Sequence, residues 1–167
     1  MSRVMVGKMA PDFVLPDQWG NPVRLSDFRD KKNVIVYFYP RDFTSGCQLE
    51  AITFAENYEL FRTLNTEILG VSVDSVGSHQ RFSSEFKLPF PLLSDRNNRV
   101  RRAFGVSKTF GLFPGRVTYI IDRLGIIRRE FSSQCNPQRH TREALRFLIS
   151  VLMKDAMESG ESDHPRV

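Results

Sequence analysis

Residues 33 to 39, "NVIVYFY", constrain this chain more than any other stretch. Val34 through Tyr39 are all β-branched or aromatic, with no polar residue on either alternate face. A strand of that composition is buried on both sides, so it belongs at the centre of a sheet covered above and below. Pro40 closes the run, because it has no amide proton to continue a ladder. From Thr44 the pattern changes. Leu49, Ile52, Ala55, Leu60, Phe61 and Leu64 recur at helical spacing, which predicts a helix over 44–64.

Upstream, residues 12–28 suggest two short extended pieces around Gly20-Asn21-Pro22, then Ser26 as a helix N-cap. Downstream come a strand at 67–74, a helix at 78–87, an extended piece at 90–95 and a short helix at 97–106 ending near Gly105. Within 115–133, two strand-like runs flank Asp122-Arg123-Leu124-Gly125, a hairpin signal. A last helix is predicted from Pro137 to Met153, with Ala144, Leu145, Leu148, Ile149 and Leu152 on one face. The order favours an α/β fold with a parallel sheet centre and an antiparallel hairpin at the other side. That is the layout of a thioredoxin-like fold, a mixed sheet flanked by helices, here with an N-terminal β-hairpin extension. One domain is expected over 1–154. The polar residues 155–167 lack apolar periodicity and are expected to form a frayed tail.

A chain of 167 residues can bury a core without staples. Its two cysteines, Cys47 and Cys135, make no disulfide framework and no Cys-x-x-Cys, and the three histidines do not cluster with them in sequence. No metal site and no cofactor are expected. No apolar stretch approaches the ~20 residues of a membrane span, and residues 1–13 lack the apolar core of a secretory signal, so a soluble, cytoplasmic protein is expected. The net charge of +5 gathers in arginine-rich stretches at 96–104, 126–131 and 138–147. They carry no nucleic-acid recognition motif and are interleaved with acids, so they read as solvated basic surface.

A lone cysteine in a reducing compartment is either inert or a reactive thiol. Cys47 falls in the first turn of the predicted helix, where unpaired N–H groups and the macrodipole favour a thiolate. One terminus supplies about 0.3–1 kcal/mol when exposed and up to about 2 when partly buried. A mostly ionised thiol calls for a further cation. The thioredoxin-like layout places Arg116, which opens the hairpin strand, beside this helix. Its guanidinium is charged at every relevant pH and offers a fork of donors to thiolate or substrate oxygen. Thr44, three residues before Cys47, can cap the helix or turn its hydroxyl toward the thiol.

Pro40, Thr44 and Cys47 together give Pro-x-x-x-Thr-x-x-Cys, with Arg116 in the later strand. With "APDF", "VRLSDF", "YFYPRDFTSGC", "GVSVDS", "LPFPLLSD", "PGRVTYIID" and "FSSQCNP", the chain resembles a peroxiredoxin of the bacterioferritin-comigratory-protein or peroxiredoxin Q branch from about residue 4 to 153. The resemblance implies a thiol peroxidase. Cys47 would attack a hydroperoxide and become a sulfenic acid. Thr44 would orient the reactants, Arg116 would stabilise the charge shift and Pro40 would shield the site. Glu50 stands where this branch is often acidic, in a supporting role.

Many members of the branch carry a resolving cysteine five residues after the first, where this chain has Ile52. A one-cysteine mechanism is therefore expected, with thioredoxin, glutaredoxin or a small thiol as reductant and a hydroperoxide as substrate. Cys135 is read either as packing filler or as a resolving partner. His79 and His140 are not needed as bases. A monomer or weak dimer is expected. The alternative function is a peroxide sensor that relays oxidation from Cys47 to a partner protein.

Overall fold

The apolar run at 34–39 is central, as its composition requires: each of its six residues is at most 2% exposed. The computed structural model describes residues 4–109 and 113–160. Val14–Pro16 (β1) and Pro22–Arg24 (β2) pair as an antiparallel hairpin. A 3-10 turn at Leu25–Phe28 leads to β3 (Asn33–Phe38), α1 (Ser45–Glu56) and α2 (Tyr58–Thr63). Next come β4 (Thr66–Ser72), α3 (Val76–Phe86), β5 (Leu92–Ser94) and α4 (Arg99–Ala103). The short strands β6 (Lys108–Thr109) and β7 (Phe113–Pro114) pair ahead of β8 (Val117–Ile121) and β9 (Ile127–Ser132), and α5 (Gln138–Gly160) closes the fold.

The main sheet has the order β5-β4-β3-β8-β9. β3, β4 and β5 run parallel, while β8 and β9 are antiparallel. The period-2 alternation of β3 divides the core in two. Val34, Val36 and Phe38 join Phe13, Leu15, Val100, Phe104 and Tyr119 on one face. Ile35, Tyr37 and Tyr39 join Cys47, Phe54, Phe61, Phe82, Phe90, Ala144 and Leu148 on the other. Cys47 therefore sits on the face covered by α1 and α5, against the aromatic side of the central strand.

Several expectations need correction. Ser26 lies inside the 3-10 turn rather than capping it, and its backbone N–H and hydroxyl both donate to the Asp12 carboxylate. The predicted helix over 44–64 breaks at Asn57. The Thr53 hydroxyl donates to the Leu49 carbonyl and Asn57 Nδ2 donates to the Thr53 carbonyl, so side chains compete for the helix's own acceptors near its end. The buried face of α1 is Cys47, Glu50, Ala51 and Phe54, whereas Leu49 and Leu60 are exposed. On α5, Ala144 and Leu148 are buried but Ile149 and Leu152 face outward. That helix also runs to Gly160, so 155–160 of the expected tail are helical; 161–167 lie outside the described residues. The β6–β7 pair had no signal in the sequence. Among the described residues no helix is long and apolar enough to cross a membrane.

Candidate active site

The chain leaves β3 at Phe38 and enters α1 at Ser45 through a tight loop. Two buried systems hold that loop. Asp42 accepts from the hydroxyls of Tyr39 and Ser78, and its backbone N–H donates to Asp74 Oδ2, which also accepts from Ser72. His79 completes the first system. Its Nε2 faces the Leu93 carbonyl, an acceptor only, so Nε2 carries a proton. Its Nδ1 lies 2.8 Å from Asp42 Oδ2. Asp42, Asp74 and His79 bring donor atoms within 4.8 Å of one another, the spacing of a metal site, but these atoms already bond to the loop and its supports.

The second system is Arg101, predicted as solvated surface and found buried. Its Nη2 donates to the Tyr39 carbonyl at 2.8 Å and its Nη1 to the Gly115 carbonyl at 2.7 Å, with the guanidinium over the Phe38 ring. One cation thus ties the end of β3 to the residue before Arg116. Gly115 has no room for a side chain, since a Cβ would lie 2.2 Å from the Ser107 carbonyl oxygen.

Cys47 is 1% exposed, in the first turn of α1. Arg116, 4% exposed, places Nη2 3.4 Å from Cys47 Sγ while its Nη1 donates to Glu50 Oε2. Gly46 leaves the space this requires; a methyl group there would stand 3.1 Å from Arg116 Nη2. The sequence expectation that Arg116 lies beside the thiol helix matches this geometry. Thr44 occupies the N-cap position, but its hydroxyl makes no cap bond and donates to the Arg41 carbonyl at 3.0 Å. It is exposed at the mouth, and Pro40 is half-buried at the end of the strand. Phe43 holds a left-handed backbone (φ 62°) just before Thr44, with its ring against Phe82. Cys135 is exposed, between β9 and α5.

Glu50 is fully buried. Burial pushes its carboxyl up to about 7, against the opposing pull of Arg116. Among the described residues its Oε1 has no hydrogen-bond partner. His140, also fully buried, presents Nδ1 3.7 Å from that oxygen. The site therefore gathers a thiol, a guanidinium, a carboxyl near neutrality and a buried imidazole. Such a set can hold a sulfur anion and stabilise charge on an oxygen beside it.

A thiol at the strand-to-helix junction of this fold, bonded by an arginine just ahead of the neighbouring strand β8, defines a class. The chain belongs to the AhpC/TSA family, whose profile matches residues 6–130. It is a peroxiredoxin, a thiol-dependent peroxidase. Among curated relatives, Peroxiredoxin Q, chloroplastic, of Suaeda salsa is 45% identical over 152 residues, spanning 90% of this chain and 71% of that one. Among solved structures, Peroxidoxin BcpB from Mycobacterium tuberculosis is 32% identical with a TM-score of 0.81, covering 87% of this chain and 97% of that one. The Xanthomonas campestris bacterioferritin comigratory protein, studied for alkyl peroxide reduction activity, is 30% identical with a TM-score of 0.76, over 83% and 90%.

Proposed function

We propose that Cys47 is the reacting thiol of a one-cysteine peroxidase acting on hydrogen peroxide and small organic hydroperoxides. The observation that carries this is the bond from Arg116 Nη2 to Cys47 Sγ. The thiolate attacks the terminal peroxide oxygen, the O–O bond breaks, and sulfur becomes sulfenic acid as an alkoxide or hydroxide leaves and takes up a proton. Arg116 stabilises both the sulfur anion and the departing oxygen. Thr44, at the mouth, positions the peroxide through its hydroxyl once it rotates from the Arg41 carbonyl, and Pro40 limits access of water. Glu50 holds the other arm of Arg116.

A first external thiol then attacks the sulfenic sulfur, releasing water and forming a mixed disulfide. A second frees Cys47 and leaves as the disulfide of the reductant. Because Cys47 is buried, the first turn of α1 opens to admit the reductant, which is thioredoxin, glutaredoxin or a small thiol. Ile52 in place of a helix resolving cysteine supports the external route. The similarity to a relative studied for alkyl peroxide reduction supports the substrate class. The working unit is a monomer or weak dimer.

Intact-mass analysis after one equivalent of hydrogen peroxide, with a sulfenate trap present, tests this reading. Trap addition at Cys47, unchanged in Cys135→Ser, is the expected result. Loss of two hydrogens within one chain makes Cys135 the resolving partner and overturns the one-cysteine route. Oxidation without turnover under excess thiol leaves a sensor instead.

A further inference from the structure

The packed face of α5 stops short of the helix. Ala144 and Leu148 are buried, but each residue from 149 to 159 is exposed, so the second half of α5 leaves its apolar side chains to solvent. Ile149, Leu152, Met153 and Met157 are 39%, 57%, 61% and 74% exposed. A helix of this length without a packed face is marginal in water. We propose that this face is where two copies of the chain meet, with α5 lying antiparallel across α5 of the partner. The proposal rests on the dimer in the reading of the working unit as a monomer or weak dimer.

The spacing defines the seam. Arg142, Leu145, Ile149, Met153 and Ala156 follow one another at intervals of three or four, a single stripe on a helix. The fold keeps that stripe on one surface. Arg142, Arg146, Ile149 and Met153 line a groove of about 660 Å³ whose other wall is Thr53 and Asn57 of α1. The remaining charges of these turns lie elsewhere: Lys154, Asp155 and Glu158 border a separate hollow beside Asn33 and Asp122. The stripe itself carries no acid.

Its two ends decide the occupant and the direction. At the start stand Arg142, without an ion pair among the described residues, and Arg146, whose nearest acid is Glu143 at 4.0 Å. At the other end are the last carbonyls of α5, the negative pole of the helix. A surface basic at one end and negative at the other is complementary to itself when reversed, as a two-fold interface requires. An axis level with Val151 sets Ile149 against the partner's Met153 and Leu145 against the partner's Met157. It also brings Arg142 level with the end of the partner's helix, since α5 ends at Gly160. A parallel pair would instead crowd the arginines of both copies together. The seam spans only a few turns, so the dimer is weak and depends on concentration.

The test is sedimentation velocity of the full reduced chain, from micromolar to near-millimolar concentration. Wild type is expected to pass from monomer to dimer over this range, less readily as salt rises. Met153→Glu sets a carboxylate in the middle of the seam on each copy and should raise the dissociation constant at least about tenfold. The position is exposed, so the monomer keeps its circular dichroism spectrum. Reversing both arginines, Arg142→Glu with Arg146→Glu, turns acids toward the partner's negative pole and should also weaken the dimer. Lys154→Glu, on the other face, should leave it unchanged. A dimer indifferent to Met153→Glu, or one strengthened by the arginine reversal, overturns the antiparallel seam while the dimer itself stands. A chain that stays monomeric throughout overturns the seam and the dimer reading together.

Discussion

Glu50→Gln should change how stability depends on pH, and the change can be worked from two buried groups that oppose each other. Glu50 titrates at about 7 in the fold against an ordinary 4.5. Across that window the native chain holds a proton that the unfolded chain has lost. Its contribution is full below pH 4.5 and is lost as pH rises through 7. At about 1.4 kcal/mol per unit the loss amounts to roughly 3 kcal/mol. His140 works the other way. Its value falls to about 4 from 6.5, so its contribution is present above pH 6.5 and lost as pH falls through 4, again by roughly 3 kcal/mol. Between pH 4.5 and 6.5 the two slopes offset. Glutamine cannot ionise, so it keeps the neutral-state contribution at high pH and unmasks the rise due to His140. Urea unfolding followed by far-UV circular dichroism, at intervals from pH 4 to 8 with thiols reduced, reads the effect. The variant should match wild type near pH 4 and exceed it by about 3 kcal/mol near pH 8. Parallel curves for the two proteins would refute the reasoning, because every other titrating group is common to both.

Three further outcomes are expected. Arg116→Lys keeps a charge but not the fork that spans Glu50 Oε2 and Cys47 Sγ, so stopped-flow oxidation should slow by at least about tenfold; an unchanged rate would remove Arg116 from the chemistry. Arg101→Met leaves the carbonyls of Tyr39 and Gly115 without their donor, at about 1–3 kcal/mol for each orphaned group. The urea midpoint should drop and Cys47 oxidation should slow with it. Gly115→Ala puts a Cβ against the Ser107 carbonyl and should cost about 1–3 kcal/mol by overpacking, read as a lower midpoint with unchanged slope.

The central strand and the hairpin were legible because each follows a strong local rule: an apolar run buried on both faces, a Gly-containing turn. The start of α1 was legible at Thr44, but its buried face was not the apolar set the spacing suggested. What escaped was polar burial. Arg101 lies on the same face of α4 as Val100 and Phe104, and His140 on the same stripe of α5 as Ala144 and Leu148. Read as polar residues in a basic run, both were assigned to solvent. Read as positions on an apolar stripe, both were candidates for burial, and a buried cation or imidazole must have partners. The break at Asn57 was invisible for another reason, since neither glycine nor proline marks it. On α1 the apolar Leu49 is exposed, while the buried face carries a charged residue, Glu50. Its partner Arg116 was expected beside Cys47, but the bridge between the two was not.

The bond between Cys47 and Arg116 joins residues 69 apart, and Arg101 reaches back 62 residues to Tyr39. A chain made from its N-terminus presents the thiol first, and at about 5–20 residues per second the arginine follows on the order of several seconds later. Through that interval Cys47 is an ordinary cysteine with no cation to hold its anion. The growing chain therefore meets cellular oxidants with a sluggish thiol. With Cys47 as the proposed reacting thiol, reactivity waits for the β8–β9 hairpin that brings Arg116 to it, so it doubles as a report that this part of the chain has folded.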